Sequence, residues 1–221
     1  AKAHKSFAKT KIPKSLEKKI LKAYQALGGG AVAVRSSATA EDLPEAAFAG
    51  QHDSYLNIIG EKKLLEAIKH TWASLWTDRA VAYRKHHGID TAKLSMAVIV
   101  QRMVDADFAG VMFTANPVTG DRKEIIIDAV EGLGEAVVSG SVTPDHFVMR
   151  RKWHRWRMTK KTTKTSLPEK QLISLTKLGA KIEKHFGSPQ DIEWAFLGKE
   201  LFIVQSRPIT ALPTQPIKQN R

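Results

Sequence analysis

The last part of the chain contains two short alternating runs around a glycine turn, and this pattern constrains the fold more than any other. Residues 191–196 and 201–205 flank Gly198-Lys199, which predicts a β-hairpin. Because alternate strand residues face opposite sides, the even positions form an apolar face that belongs in a core: Ile192, Trp194, Phe196, Phe202 and Val204. The odd positions at the open end form a polar face: Asp191, Glu193, Gln205 and Arg207. The sequence therefore predicts an antiparallel pair with a polar strip on one side.

Helical and strand patterns alternate unevenly along the rest of the chain. Apolar residues recur every three or four positions in three segments, which predicts helices at 13–27, 61–87 and 168–186. The first helix has an apolar stripe of Leu16, Ile20 and Leu27, and Thr77-Asp78 begins a second helix within the 61–87 segment. Apolar runs bounded by turn residues predict strands at 31–35, 52–58, 96–100, 108–113 and 124–130, with a basic hairpin at about 147–160. The predicted fold class is α+β, with mostly antiparallel sheet and flanking helices.

The charge of the chain is concentrated in two segments. The chain has 221 residues and a formal net charge of +13. Residues 1–30 carry eight lysines and one acidic residue, and residues 150–164 carry eight cations and no acid. These segments account for +15, so the remainder carries −2. Such blocks are typical of solvated surfaces, although Trp153, His154 and Trp156 among the cations keep a nucleic-acid interface as an alternative.

Several function classes are excluded by composition. The chain has no cysteine, so it has no disulfide framework, thiolate metal site or cysteine nucleophile, and it suits the reducing cytoplasm. No apolar run approaches the length of about 20 residues that a membrane-spanning helix needs, and the first 19 residues lack the apolar core of a secretory signal.

Two segments have the residue types of a metal-nucleotide site. On the predicted hairpin, two carboxylates and an amide oxygen are hard ligands of the kind that Mg²⁺ prefers, and Arg207 beside them would bind phosphate oxygens. The alternative is a solvated hairpin face with a surface pair of Asp191 and Arg207. In residues 34–39, Arg35 leaves a buried strand and is followed by hydroxyl groups that could surround an anion. A strand end with a capping serine is the alternative there.

Five long motifs, in order, resemble one family of enzymes. They lie at 33–58, 70–84, 100–120, 132–147 and 191–210, and they are similar to the nucleotide-binding domain of the phosphoenolpyruvate synthase family, which includes pyruvate phosphate dikinase and rifampicin phosphotransferase. The resemblance covers residues 31–210 and implies an ATP-grasp fold. It makes 1–30 a lysine-rich lead-in and 211–221 a linker tail.

The resemblance also implies a role for each site residue. ATP and Mg²⁺ would be the cofactors, with Arg35 at the phosphates and stabilising charge during transfer, Glu193 and Gln205 on Mg²⁺, Asp191 beside them and Arg207 on phosphate. The nucleotide pocket would be lined by Gly50, Ser54 and Tyr55, and the hinge bordering base and ribose would hold Gln101, Arg102 and Met103. In this family the β-phosphoryl group of ATP passes to a histidine on a separate domain and then to pyruvate.

Parts of the family pattern have no counterpart in these residues. The amino-terminal lobe with its phosphate-binding lysine, the phosphohistidine motif and the substrate barrel are not matched. We therefore expect an incomplete ATP-grasp domain that binds ATP weakly, lacks activity alone and has phosphohistidine and pyruvate-binding domains as partners. Rifampicin phosphotransferase is the alternative within the family, and a non-catalytic basic binding module is the alternative outside it.

Overall fold

Strands and helices follow one another in an order close to that expected, and they divide into two units between Met103 and Val104. The structure is a computed structural model that describes residues 6–7, 9–38, 42–43, 46–47, 54–86, 88, 94–134, 142–152, 155–162 and 167–213. Gly50 of the predicted site lies outside these residues, as do Trp153 and His154 of the basic segment. Every strand pairing in the described part of the chain is antiparallel. The prediction of an α+β chain with mostly antiparallel sheet is confirmed.

Among the described residues, the first unit contains a three-stranded sheet flanked by helices. The sheet order is β4-β1-β5, and two short strands, β2 and β3, form a separate pair. The elements are α1 (Lys14–Ala26), β1 (Val32–Ala38), β2 (Asp42–Leu43), β3 (Ala46–Ala47), β4 (Tyr55–Ile58), α2 (Glu61–Ser74), α3 (Asp78–His86) and β5 (Met96–Arg102). The break between α2 and α3 falls where the sequence predicts it, because Thr77 Oγ1 accepts a hydrogen bond of 3.2 Å from the Ala80 backbone N–H.

The core of the first unit is one apolar cluster between helices and sheet. It contains Tyr24, Val32, Val34, Leu64, Ala67 and Ile68. The predicted stripe on α1 is wrong at two positions, because Leu16 and Leu27 are 39% and 38% exposed whereas Tyr24 is 2% exposed. Tyr24 is buried because its hydroxyl is satisfied: it donates to the carbonyls of Gly29 and Gly30, at 2.7 and 2.8 Å, and accepts from the Gly60 N–H at 3.0 Å.

In its described part, the second unit contains a six-stranded sheet with one helix against it. The sheet order is β11-β10-β6-β7-β8-β9. The elements are β6 (Phe108–Phe113), β7 (Glu124–Glu131), β8 (Asp145–Lys152), β9 (Arg155–Thr162), α4 (Glu169–Phe186), β10 (Gln190–Leu197) and β11 (Glu200–Pro208). One face of this sheet packs with α4 in an apolar cluster that includes Met112, Phe147, Leu172, Leu175, Ile192, Trp194 and Phe196. We call this the core face, and we call the opposite side of the same sheet the polar-row face.

Two close approaches fix the packing on the core face. A Cβ on Gly110 would lie 1.9 Å from the Asp128 carbonyl oxygen and 3.0 Å from Trp194 Cζ2, so β6 leaves no room for a side chain there. A Cβ on Gly179 of α4 would lie 2.5 Å from Met112 Cε. Both glycines allow α4 and the indole to lie directly against the sheet.

The predicted alternation of the terminal hairpin is correct on β10 and wrong on half of β11. Ile192, Trp194 and Phe196 are buried as predicted. Leu201 and Ile203 pack against the core cluster instead of Phe202 and Val204. The reason is a β-bulge: Glu193 pairs with Gln205 but Trp194 pairs with Ile203, so Val204 is an extra residue and the alternation reverses beyond it.

No helix in the described ranges combines the length and apolar character that crossing a bilayer requires.

Candidate functional site

Arg35 and Gln101 lie on the same side of the three-stranded sheet. Arg35 pairs with Ile99, and Gln101 pairs with Ala33, so the two side chains are diagonal neighbours with backbones about 7–8 Å apart. The alternate positions, Val32 and Val34, point to the apolar cluster. The first unit therefore brings together two of the residues expected at a nucleotide, on the side of the sheet opposite the helices.

The backbone of Met103 is part of the same sheet. Its N–H donates to the Ala31 carbonyl at 2.9 Å, which extends the pairing of β1 and β5 by one residue. Because this N–H is committed to the sheet, a nucleotide contact at Met103 would use its carbonyl oxygen or its side chain.

Tyr55 faces the helices. It lies opposite Val34, packs against the apolar cluster, and its ring centroid is 6.2 Å from that of His70 on α2. The preceding Ser54 is exposed. The structure thus separates Tyr55 from the Arg35 side of the sheet, and a role for Tyr55 in nucleotide binding stays a prediction.

The four polar residues of the terminal hairpin pair as the sequence predicts. Asp191 lies opposite Arg207, and Glu193 lies opposite Gln205. Both pairs occupy the polar-row face, because Ile192 between them faces the core. This prediction of register is confirmed.

In the described part of the chain, Arg207 is held by Asp191 alone. Arg207 Nε and Nη2 both donate to Asp191 Oδ2, at 2.9 and 2.8 Å. The Asp191 side chain is 15% exposed and that of Arg207 is 41% exposed. The guanidinium is thus oriented from one edge, and its Nη1 edge remains for an anion.

The donor set of the hairpin fits a magnesium ion that is completed by a ligand. Glu193 supplies a carboxylate and Gln205 an amide oxygen directly across the hairpin. No group of three His, Asp or Glu side chains in the described part of the chain converges on one point. Mg²⁺ keeps several waters and is bound by one or two carboxylates together with substrate phosphates, so these two oxygen donors suit a metal that arrives with a nucleotide.

The polar-row face also carries a pair that the sequence did not single out. His146 on β8 lies opposite Asp128 on β7, with Nδ1 and Oδ1 2.7 Å apart. The register of five neighbouring strands places this pair in one row with Glu193 and Gln205, through Val111 of β6. Alternation within β7 and β8 could have placed both residues on one face, but pairing them requires the register of two strands that are joined by a long connection.

Two residues of the basic hairpin of β8 and β9 have contacts within the second unit. Arg150 bridges Glu124 at 2.5 Å and Asp121 at 3.1 Å. Trp156 packs against the core cluster. Trp156 is therefore partly buried, and a role for its ring in stacking on nucleic-acid bases stays a prediction.

Comparison with known proteins identifies the class to which these features belong. Residues 1–163 and 151–221 match the family described as the pyruvate phosphate dikinase AMP/ATP-binding domain. The matches together span the whole chain, so the chain belongs to this family of nucleotide-binding domains.

Similar proteins carry two names. Phosphoenolpyruvate synthase of Pyrococcus furiosus is 43% identical over 91% of this chain and 29% of its own length. The probable phosphoenolpyruvate synthase of Methanocaldococcus jannaschii is 42% identical over 96% of this chain and 20% of its own length. Rifampicin phosphotransferase of Bacillus cereus is 46% identical over 82% of this chain and 24% of its own length. The chain therefore spans less than a third of the length of each of these relatives.

Proposed function

We propose that this chain is the ATP- and Mg²⁺-binding part of a phosphoenolpyruvate synthase-like phosphotransferase. The observation that carries the proposal is the polar strip of the terminal hairpin, where Glu193 faces Gln205 and Asp191 orients Arg207. Membership of the AMP/ATP-binding family supports ATP as the ligand. The net reaction of the whole enzyme would convert ATP, pyruvate and water to AMP, phosphoenolpyruvate and phosphate in the cytoplasm.

The proposed fold is of the ATP-grasp type, with further parts of the enzyme outside this chain. An additional lobe would supply a phosphate-binding lysine, and separate domains would supply the phosphohistidine and the pyruvate site. The short span of this chain in its relatives supports a division of the reaction among several domains. The isolated chain is expected to bind ATP weakly and to turn over no substrate.

The residues of this chain bind, orient and neutralise charge. Arg35 contacts the phosphates and stabilises the charge that develops during transfer, a role in which a positioned arginine contributes about 10³–10⁵ in rate in other phosphoryl-transfer enzymes. Glu193 and Gln205 hold Mg²⁺, and Arg207 contacts phosphate while Asp191 fixes its orientation. The bound metal would supply neutralisation of phosphate charge. Transfer then depends on positioning and electrostatics.

The remaining predicted residues belong to the nucleotide pocket in this proposal. Gly50, Ser54 and Tyr55 lie along it, and Gln101 and Met103 border the base and ribose. Arg35 and Gln101 lie on the same side of their sheet, which supports a place for Gln101 near the nucleotide.

Titration of this chain with Mg-ATP tests the binding role. We expect Glu193→Ala to weaken Mg-ATP binding at least tenfold in calorimetry, because the metal loses its carboxylate. Glu200 is the matched control, since it lies on the same hairpin at the exposed turn end. Equal affinities for Glu193→Ala and Glu200→Ala, or wild-type affinity unchanged by EDTA, would contradict the proposal. Pyruvate-dependent AMP release by the isolated chain would contradict the expected division among domains.

Rifampicin phosphotransferase is the second candidate, favoured by relatives of that name with 46% and 48% identity. The two candidates share the ATP-binding part and differ in the final phosphoryl acceptor. AMP release by the full protein that contains this chain, measured with pyruvate and with rifampicin, separates them.

A further inference from the structure

We propose that Asp128 and His146 form a further nucleotide-binding determinant, in which His146 Nε2 accepts a hydrogen bond from the nucleoside half of ATP. This inference rests on the proposed function. The pair lies on the polar-row face in the same cross-strand row as Glu193 and Gln205. Directly opposed residues point to the same side of a sheet, so the metal ligands and the imidazole project in one direction.

The pair stays accessible although several residues near it on the polar-row face are buried. On the same face, Ile126 and Val130 of β7, Val148 of β8 and Ala109 of β6 are all buried. The side chains of Asp128 and His146 nevertheless keep 23% and 37% exposure. The polar-row face therefore has an opening at this pair, and the group that reaches it meets a polar side chain rather than an apolar one.

Strand spacing decides which part of the nucleotide the pair can reach. Neighbouring strands lie about 4.8 Å apart, so the backbones of Glu193 and His146, three strands apart in the sheet, are separated by about 14 Å. This is too far for His146 to share a magnesium ion with Glu193, whose metal–oxygen distance would be about 2.1 Å. A nucleotide whose phosphates lie at the metal can span this separation of about 14 Å. The part of the nucleotide that reaches Asp128 and His146 is then the nucleoside half.

The hydrogen-bond chemistry of the imidazole makes the same assignment. Asp128 Oδ1 lies 2.7 Å from Nδ1. In the neutral form of the ring, an Nδ1 that donates this bond leaves Nε2 as an acceptor. Ribose hydroxyls and the adenine amino group are donors, whereas phosphate oxygens only accept. His146 is thus the binding group, and Asp128 is the residue that sets its tautomer.

The test compares two substitutions at His146 in this chain. His146→Asn places an amide nitrogen near the Nδ1 position and keeps the bond to Asp128, but it removes the outward acceptor. His146→Gln restores an acceptor near the Nε2 position. We expect His146→Asn to weaken Mg-ATP binding roughly threefold to tenfold, which is the range for one hydrogen bond, and His146→Gln to retain most of the affinity. The control is Thr162→Ala, because Thr162 is exposed and lies opposite His146 on β9.

Ligand analogues separate this role from a general effect on the site. Mg-tripolyphosphate has no nucleoside, so its affinity should stay within about twofold in His146→Asn. The analogues 2′-deoxy-ATP, 3′-deoxy-ATP and ITP lack the 2′-hydroxyl, the 3′-hydroxyl and the adenine amino group, respectively. The analogue without the group that donates to His146 should bind the wild type more weakly than ATP does. His146→Asn should cause no further loss of affinity for that analogue. Asp128→Asn should weaken Mg-ATP as His146→Asn does, because the amide can donate to Nδ1 and leave the ring proton on Nε2.

Several outcomes overturn the inference. They are an equal loss of tripolyphosphate affinity, unchanged Mg-ATP affinity in His146→Asn, an equal loss in Thr162→Ala, or wild-type affinity for all three analogues equal to that for ATP. Each of these is compatible with a magnesium site at Glu193. If the wild-type chain binds no Mg-ATP, the proposed function fails and this inference fails with it.

Discussion

Arg207 and Asp191 meet across the terminal hairpin through a single carboxylate oxygen. Both Nε and Nη2 of the arginine donate to Oδ2, so one edge of the guanidinium is fixed while the rest is directed away from Asp191. The pair is partly exposed, and such pairs contribute about 0–1 kcal/mol to stability. Its main effect is therefore on the orientation of Arg207 rather than on folding.

Removing Asp191 is expected to affect ligand binding more than stability. Asp191→Ala frees the arginine side chain, whose ordering then has to occur on binding at a cost of about 0.5–1.5 kcal/mol. Mg-ATP affinity should fall about threefold to tenfold, while the free energy of unfolding changes by less than about 1 kcal/mol. Calorimetry and urea-induced unfolding measure the two quantities. A large loss of stability without loss of affinity would mean that the pair is structural. Asp191→Asn keeps an acceptor for Arg207, so its Mg-ATP affinity should lie between those of the wild type and Asp191→Ala.

Gly110 is expected to tolerate no side chain. In Gly110→Ala the new Cβ would meet the Asp128 carbonyl and the Trp194 ring, neither of which can move without disturbing the sheet. Crowding of this kind costs about 1–3 kcal/mol or more, and we expect the upper end or a failure to fold. Gly30→Ala is the control, because a Cβ there meets no atom within 4 Å. Similar unfolding midpoints in urea for the two variants would contradict the packing described.

The hydroxyl of Tyr24 is expected to stabilise the first unit. Tyr24→Phe keeps the buried ring but leaves the Gly29 and Gly30 carbonyls and the Gly60 N–H without this partner. The loss should be about 1–3 kcal/mol in urea-induced unfolding. Gln25→Ala is the control, because it removes another hydrogen bond between α1 and α2: exposed Gln25 donates to Glu61 at 3.0 Å. It should cost less than about 0.5 kcal/mol.

Replacing Arg84 by a long apolar residue is expected to reduce the free energy of unfolding less than replacing it by alanine. Arg84 is 2% exposed and donates from Nη1 to the Leu75 carbonyl at 2.6 Å. Its Nε and Nη2 have no hydrogen-bond partner among the residues that the structure describes. Burial lowers the pKa of its guanidinium, because the charged form loses hydration. Arg84→Met, which fills the space without the charge, should stay within about 1 kcal/mol of wild type, and Arg84→Ala should lose about 3 kcal/mol. Equal losses in thermal or urea unfolding would show that charge, not volume, decides.

Local pattern was sufficient to predict the polar strip of the hairpin. Two alternating strands and a tight turn determine which residues lie opposite one another near the open end, so Glu193 and Gln205 could be paired before the structure was known. The same argument failed for Phe202 and Val204, because a bulge adds a residue and no feature of the sequence marks it.

Features that depend on distant segments escaped prediction. Asp128 and His146 belong to strands joined by a long connection, and their pairing follows from a register that the intervening residues do not encode locally. The burial of Tyr24 depends on three backbone groups, two in a glycine turn and one before α2. Apolar periodicity along one helix does not predict hydrogen bonds to other segments of the chain.

The bulge at Val204 gives the terminal hairpin a position where the chain can lose one residue while both flanking pairs keep their partners. Both flanking pairs, Trp194 with Ile203 and Glu193 with Gln205, already skip this residue. Its deletion would leave each partner in place, whereas deletion of Phe202 would remove the residue that pairs with Ala195. Homologues that are one residue shorter here are therefore expected to keep the same ligands, and a gap in their alignment belongs at Val204.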